Sequence, residues 1–200
     1  MLKQNIDFPV FNGVRCLMMP YVQGDPCSVP EQYQSYRDII QSVFIKRGDV
    51  GYLTIDELVV TQGKAHRGYR AKTKRALHTE AGLRPNSMYC WGVVPTWGNT
   101  RVTLDRDVEV LLANNVDNSC ALWNATHEDT SLDGDIGDQS FMYPYKEAIM
   151  MKAGEVHKIG ILTPYESLPV EQDVNRQFLR IISSGVHGRE PYFTKNPVLS

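Results

Sequence analysis

His78 and Glu80, separated by one residue in Leu77-His78-Thr79-Glu80, carry side-chain types that can act together. On an extended strand, side chains alternate, so both project from one face. A neutral imidazole nitrogen and a carboxylate oxygen on one face are two of the three ligands that hold a non-haem iron while leaving coordination positions open. The same pair can instead hydrogen-bond a neighbouring loop and have no further role. His66, in Gly63-Lys64-Ala65-His66-Arg67-Gly68, completes a three-ligand, cupin-like set with His78 and Glu80 if its loop folds back. His157 opens a later strand and stands too far from that strand's end to share a site there. His127 and His187 read as exposed loop histidines. Arg176 offers a planar fork suited to two parallel hydrogen bonds with a carboxylate. Its structural counterpart would be an ion pair with Glu166 or Asp173.

Those residues need strands to place them. Residues 153–182 read as strand, tight turn, short loop, strand: Val156, Ile159, Ile161 and Leu162 favour β structure, and Thr163-Pro164 stops the run. The second run, Phe178-Leu179-Arg180-Ile181-Ile182, is expected to start directly after Arg176. Residues 1–27 are turn-rich, with 14–19 an early strand. Ser28-x-x-Glu31 has the form of a capping box, with Pro30 in the first turn. Tyr33, Tyr36, Ile40 and Val43 follow as an apolar stripe, which predicts a flanking helix ending at Arg47-Gly48-Asp49. In residues 50–60 the β-branched content favours strand over a helix begun at Thr54-x-x-Glu57. Further strands are expected at 88–94, 101–104, 108–112 and 119–124. Residues 63–74 form a polar, locally basic loop, with Lys64, Arg67, Arg70, Lys72, Lys74 and then Arg75 on a solvated face. Residues 128–137 form an acidic loop, and its Asp133 and Asp135, taken with the following Asp138, lack calcium-loop spacing. Trp91, Trp97 and Trp123 read as core aromatics.

The composition is that of an ordinary folded chain, 42% hydrophobic and 22% charged. Its length of 200 residues fits one domain, with 1–49 an N-terminal segment and helix, 50–184 a β core and 185–200 a tail. A formal charge of −2 provides no basic footprint for nucleic acid. No apolar run approaches a membrane span, and residues 1–7 have neither the basic start nor the apolar core of a secretory leader. Cys16, Cys27, Cys90 and Cys120 form no C-x-x-C pair, so reduced thiols in a cytoplasmic protein are expected.

The order His78-x-Glu80, Tyr165, Arg176-x-Phe178 on short strands resembles the iron(II)/2-oxoglutarate-dependent oxygenases. The resemblance covers roughly residues 54–182. It implies a mainly β fold of the double-stranded β-helix (jelly-roll, cupin-like) type with the N-terminal helix flanking it; a Greek-key β-sandwich is the alternative. It further implies Fe(II) held by His78 and Glu80, 2-oxoglutarate gripped by Arg176, and hydroxylation of a small or peptidyl substrate. The family's distal metal histidine falls at Tyr165 here. A phenol is a poor iron(II) ligand unless ionised. Either another histidine replaces it, or a two-ligand site holds metal weakly, or the site has become a metal-free pocket. In that last case the Tyr165 hydroxyl is expected to donate to Glu80, with Arg176 deeper on the neighbouring strand. A non-catalytic binding or assembly protein, with Pro191-Tyr192-Phe193 docking on a neighbour in a homo-oligomer, is the second functional reading.

Overall fold

The computed structural model describes residues 4–67, 75–83, 89–90, 102–128, 134–188 and 192–199. The strands are β1 (Gln4–Asn5), β2 (Arg15–Val22), β3 (Val50–Val60), β4 (Gly82–Leu83), β5 (Tyr89–Cys90), β6 (Thr103–Leu104) and β7 (Glu109–Asn114). They continue with β8 (Cys120–Leu122), β9 (Ile149–Met150), β10 (Glu155–Gly160), β11 (Tyr165–Ser167), β12 (Val174–Ile182) and β13 (Val186–His187). The fold is mainly β, and all named pairings are antiparallel. One sheet runs β1-β10-β7-β12-β3-β2, a second β11-β8-β9 and a third β13-β6-β5-β4. No helix of the described residues is long and apolar enough to cross a membrane.

β12 organises the large sheet. It pairs with β3 from Val174↔Val60 to Ile182↔Tyr52, and with β7 from Phe178↔Asn114 to Ile182↔Val110. Strand alternation then sorts its residues. Leu179 and Ile181 join the cluster formed with Tyr36, Ile40, Leu53 and Ile55. Phe178 and Ile182 join the opposite cluster, with Val110, Leu112, Leu122 and Tyr165. Arg176 and Arg180 share the parity of Phe178, which places two guanidinium groups on an otherwise apolar face. Arg176 lies inside β12, because the strand begins at Val174, four residues before the apolar run that starts at Phe178. Val174 and Asn175 pair with the backbone of Val60 and Val59.

The expected N-terminal helix is shorter than its pattern. Residues Glu31–Tyr36 form a 3₁₀ turn, and α1 is confined to Arg37–Ser42. The Ser28 hydroxyl is bonded to Val22 and Asp25 and caps the preceding turn instead. Beyond Ser42, the Gln23 side-chain oxygen accepts from the Ile45 and Lys46 amides and draws the chain out of helix. The apolar stripe itself holds: Tyr33, Tyr36, Ile40 and Val43 are all buried. Glu57 fastens this layer to the sheet. It accepts from Tyr36 Oη (2.7 Å), Gln177 Nε2 (2.8 Å) and the Asn12 and Val14 amides.

The C-terminal tail is spent on its own chain. Phe193 is buried in an edge contact with Tyr52, Thr194 exchanges hydrogen bonds with Leu17, and Asn196 donates to Pro20 and Ser28. Only Tyr192 of the expected docking motif is exposed, and Pro191 lies outside the described residues. Cys16, Cys27 and Cys120 are free.

Candidate functional site

The segment 75–81 is held between two neighbours by isolated β-bridges of His78 to Tyr165 and Asp135. His78 exchanges both backbone hydrogen bonds with Tyr165 (3.0 and 2.9 Å), while Thr79 and Ala81 donate to Gly134 and Ile161. Gly134 is required there. A Cβ would stand 2.1 Å from the Thr79 carbonyl oxygen, and its φ of +77° is left-handed. This pairing brings His78, Glu80 and Tyr165 together. The His78 and Tyr165 rings lie 4.1 Å apart between centroids, and Tyr165 Oη donates to Glu80 Oε1 at 2.5 Å. The hydrogen bond expected from the order of the motifs is therefore present.

Burial pushes the Tyr165 hydroxyl well above the usual phenol range, and the Glu80 charge adds to the rise against the opposing fields of Arg180 and Arg67. Tyr165 stays a donor. The other Glu80 oxygen accepts from Arg180 Nη1 at 2.6 Å, with both side chains 1% exposed. Arg180 Nη2 reaches Met18 Sδ (3.2 Å) and Thr54 Oγ1 (3.4 Å). Met18 is placed by a register shift in β2 and adopts a φ of +49°, which is rare for a non-glycine residue.

As folded, both Glu80 oxygens are engaged, so a metal ion at Glu80 requires Tyr165 or Arg180 to give way. His78 Nδ1 meets the Ala76 carbonyl oxygen at 2.5 Å, the kind of contact that orients an imidazole whose other nitrogen is a ligand. No cluster of three or more His, Cys, Asp or Glu suited to a metal occurs among the described residues. The cation beside Glu80 is a guanidinium.

The remaining histidines go elsewhere. His66 Nε2 lies 2.8 Å from Asp56 Oδ2, and Asp56 also accepts from Arg15. His66 is thus drawn to β3 and β2 instead of forming a set with His78 and Glu80. His157 meets Glu155 at 3.2 Å on β10, opposite Leu112. His127, expected on the surface, is buried against the Tyr143 hydroxyl at 2.8 Å. His187 is exposed and paired with Asp105.

Arg176 is completely buried. Nε donates to Ser119 Oγ (3.1 Å) and Nη2 to the Ser119 carbonyl (3.4 Å), while Nη1 has no hydrogen-bond partner among the described residues. Neither acid expected to pair with it does so. Glu166 is taken by both Nε and Nη2 of Arg75, by the Ala76 amide and by the Tyr145 hydroxyl, and Asp173 accepts from the Gln62 amide. Arg75 is therefore a half-buried structural cation stacked over Tyr145, not part of a solvated basic face. Arg70, Lys72 and Lys74 lie outside the described residues, as do Trp91, Trp97 and Asp133. Trp123 is buried as expected. Arg176 is also not on a strand bonded to that of Tyr165. β11 belongs to the three-stranded sheet and β12 to the six-stranded one, because residues 168–173 carry the chain across.

Sequence reasoning missed Arg180, Asp56 and Ser119. Arg180 carried a signal: Arg176-x-Phe178-x-Arg180 has the period of a strand face, so an arginine there shares the surroundings of Arg176. A cleft of about 700 Å³ along Val108, Glu109, Trp123, Lys158 and Thr163 includes none of these residues. Comparison with models of known families, with curated proteins and with solved structures finds no match to this chain.

Proposed function

We propose that this chain is a metal-independent protein that binds a small carboxylate through Arg176. In this reading the frame is a double-stranded β-helix like that of the iron(II)/2-oxoglutarate oxygenases, with the metal position closed by Arg180, Glu80 and Tyr165. The observation that carries the reading is Arg176 itself: a guanidinium with no exposed surface, no carboxylate partner among the described residues and one unsatisfied nitrogen. Arginine does not lose its proton in a protein, and an unpaired buried charge costs several kcal/mol. Asp56, whose charge reaches Arg176, is bonded instead to Arg15 and His66. A ligand carboxylate supplies the missing counter-charge and the acceptor for Nη1.

Calorimetric titration with 2-oxoglutarate, glutarate and succinate tests this. Binding that is lost in Arg176→Met and weakened in Arg176→Lys is the expected result. No heat and no thermal stabilisation with any of these acids at millimolar concentration would overturn it.

The second reading, an iron-dependent oxygenase with 2-oxoglutarate as cosubstrate, draws on the meeting of His78, Glu80 and Tyr165 at one place. It requires Glu80 to leave Arg180. Iron uptake by the purified protein, with iron-dependent succinate formation from 2-oxoglutarate, would favour it over the binding protein.

A further inference from the structure

We infer that the Arg176 compartment takes a small hydroxy acid, its carboxylate on Arg176 and its hydroxyl donating to His66 Nδ1. This rests on the reading of Arg176 as a carboxylate site and names the class of ligand.

The argument begins at Asp56. Burial alone would raise its carboxyl, but the hydrogen bonds and charges of His66 and Arg15 outweigh burial and hold it below the usual carboxylate range. Asp56 is ionised and can only accept, so the proton between it and His66 sits on His66 Nε2. Burial pushes the His66 imidazole below its ordinary value, and the Arg176 charge works the same way against the pull of Asp56. With His66 neutral and Nε2 protonated, Nδ1 is a bare lone pair. It is buried, in a side chain 7% exposed, and has no partner among the described residues.

Arg176 Nη1 is the matching orphan, a buried donor without an acceptor. Both groups flank one ring. Phe178 lies 6.1 Å from the His66 centroid and 5.8 Å from Arg176 Cζ. Were the two orphans in contact they would satisfy one another; they do not. Lying beside the same ring, with the Arg176 charge reaching His66, the two orphans together call for one acceptor and one donor.

Four kinds of acid differ at that second position. A plain carboxylic acid leaves Nδ1 as unsatisfied as it is without a ligand, and gains nothing there. An oxo acid sets a carbonyl lone pair against the imidazole lone pair. An amino acid brings an ammonium next to the Arg176 charge. A hydroxyl beside the carboxylate donates to Nδ1 without adding charge. The complete burial of Arg176 limits the ligand to a small molecule.

Titration calorimetry with matched pairs differing only in the hydroxyl tests this: lactate against propionate, and either enantiomer of malate against succinate. At least one hydroxy acid is expected to bind ten-fold or more tightly than its partner. His66→Phe should abolish that preference, bringing the two members of each pair to equal affinity. His66→Gln, whose side-chain oxygen can accept, should keep part of it, and circular dichroism verifies that both variants fold. Equal binding within both pairs, or a preference surviving in His66→Phe, overturns the inference while leaving Arg176 as a carboxylate site. If none of the acids binds, or if Arg176→Met binds them as the wild type does, the carboxylate reading falls and this inference with it.

Discussion

Glu80 and Arg180 face each other at 2.6 Å with each side chain 1% exposed, so a carboxylate and a guanidinium neutralise one another inside the protein. The arrangement satisfies a buried glutamate: Arg180 supplies the cation and Tyr165 the second hydrogen bond. Any other ligand of Glu80 has to displace one of the two.

Removing one partner leaves the other charged and stranded. Arg180→Met and Glu80→Gln are each expected to destabilise the fold by about 3–5 kcal/mol, the usual cost of breaking a buried pair. The double variant should lose clearly less than the two singles added together, because it strands no charge. Urea unfolding of all four proteins measures the coupling. Additive losses would mean that the pair is energetically idle.

Tyr165 makes a second, separable contribution. Tyr165→Phe keeps the ring against His78 and removes the donor to Glu80, at about 1.5–3 kcal/mol for a hydrogen bond to a charged group. From sequence, Tyr165→His would be expected to create an iron site. With Arg180 on Glu80, the single change is now expected to leave metal uptake at background. Tyr165→His combined with Arg180→Met should bind a divalent transition metal through His78, Glu80 and the introduced imidazole. Metal analysis after dialysis distinguishes the two proteins, and equal uptake by both would contradict the role given to Arg180.

Glu57 should make the fold acid-sensitive. Burial would raise its carboxyl, but the bonds from Tyr36, Gln177, Asn12 and Val14 outweigh burial and set it below the ordinary 4.5. A depressed folded value contributes stability that is complete above the unfolded value and is lost as pH falls through the folded one. Wild-type melting temperature is therefore expected to drop below about pH 4.5. Glu57→Gln should melt lower than wild type at neutral pH, since an amide cannot accept every donor aimed there. The gap should narrow in acid. A gap independent of pH would show that the carboxylate's charge does not matter.

The cysteines should divide by burial. Burial pushes the Cys16 thiol up to about 12 and the Cys120 thiol up to about 11, whereas Cys27 is exposed. A thiol reagent near neutral pH is expected to modify Cys27 in the folded protein, and Cys16 and Cys120 only after denaturation. Peptide mass mapping reads the sites directly, and prompt labelling of Cys120 in the native state would show that the Ser119–Cys120 region opens.

Periodicity made much of the fold legible. The strand at 50–60 and the stripe of Tyr33, Tyr36, Ile40 and Val43 follow from local preference and from which face must be buried, whereas β10 ends at Gly160, ahead of the stop expected at Thr163-Pro164. The encounter of His78, Glu80 and Tyr165 was legible only through the resemblance in motif order. Charge partners were not. Whether Glu80 meets a metal, a histidine or an arginine is decided by which residue stands across from it once separate strands pack. Arg180 is brought there by the register of β12 against β3, and by a Met18 bulge that no pattern announces. Helix length failed through side chains as well: the Ser28 hydroxyl turned back to Val22 and Asp25, and the Gln23 side chain found the distant Ile45 amide. Alternation along a strand is a local property and is written in the chain. The pairing of buried polar groups is a competition among all groups that the fold brings within reach, and only the tertiary structure decides its outcome.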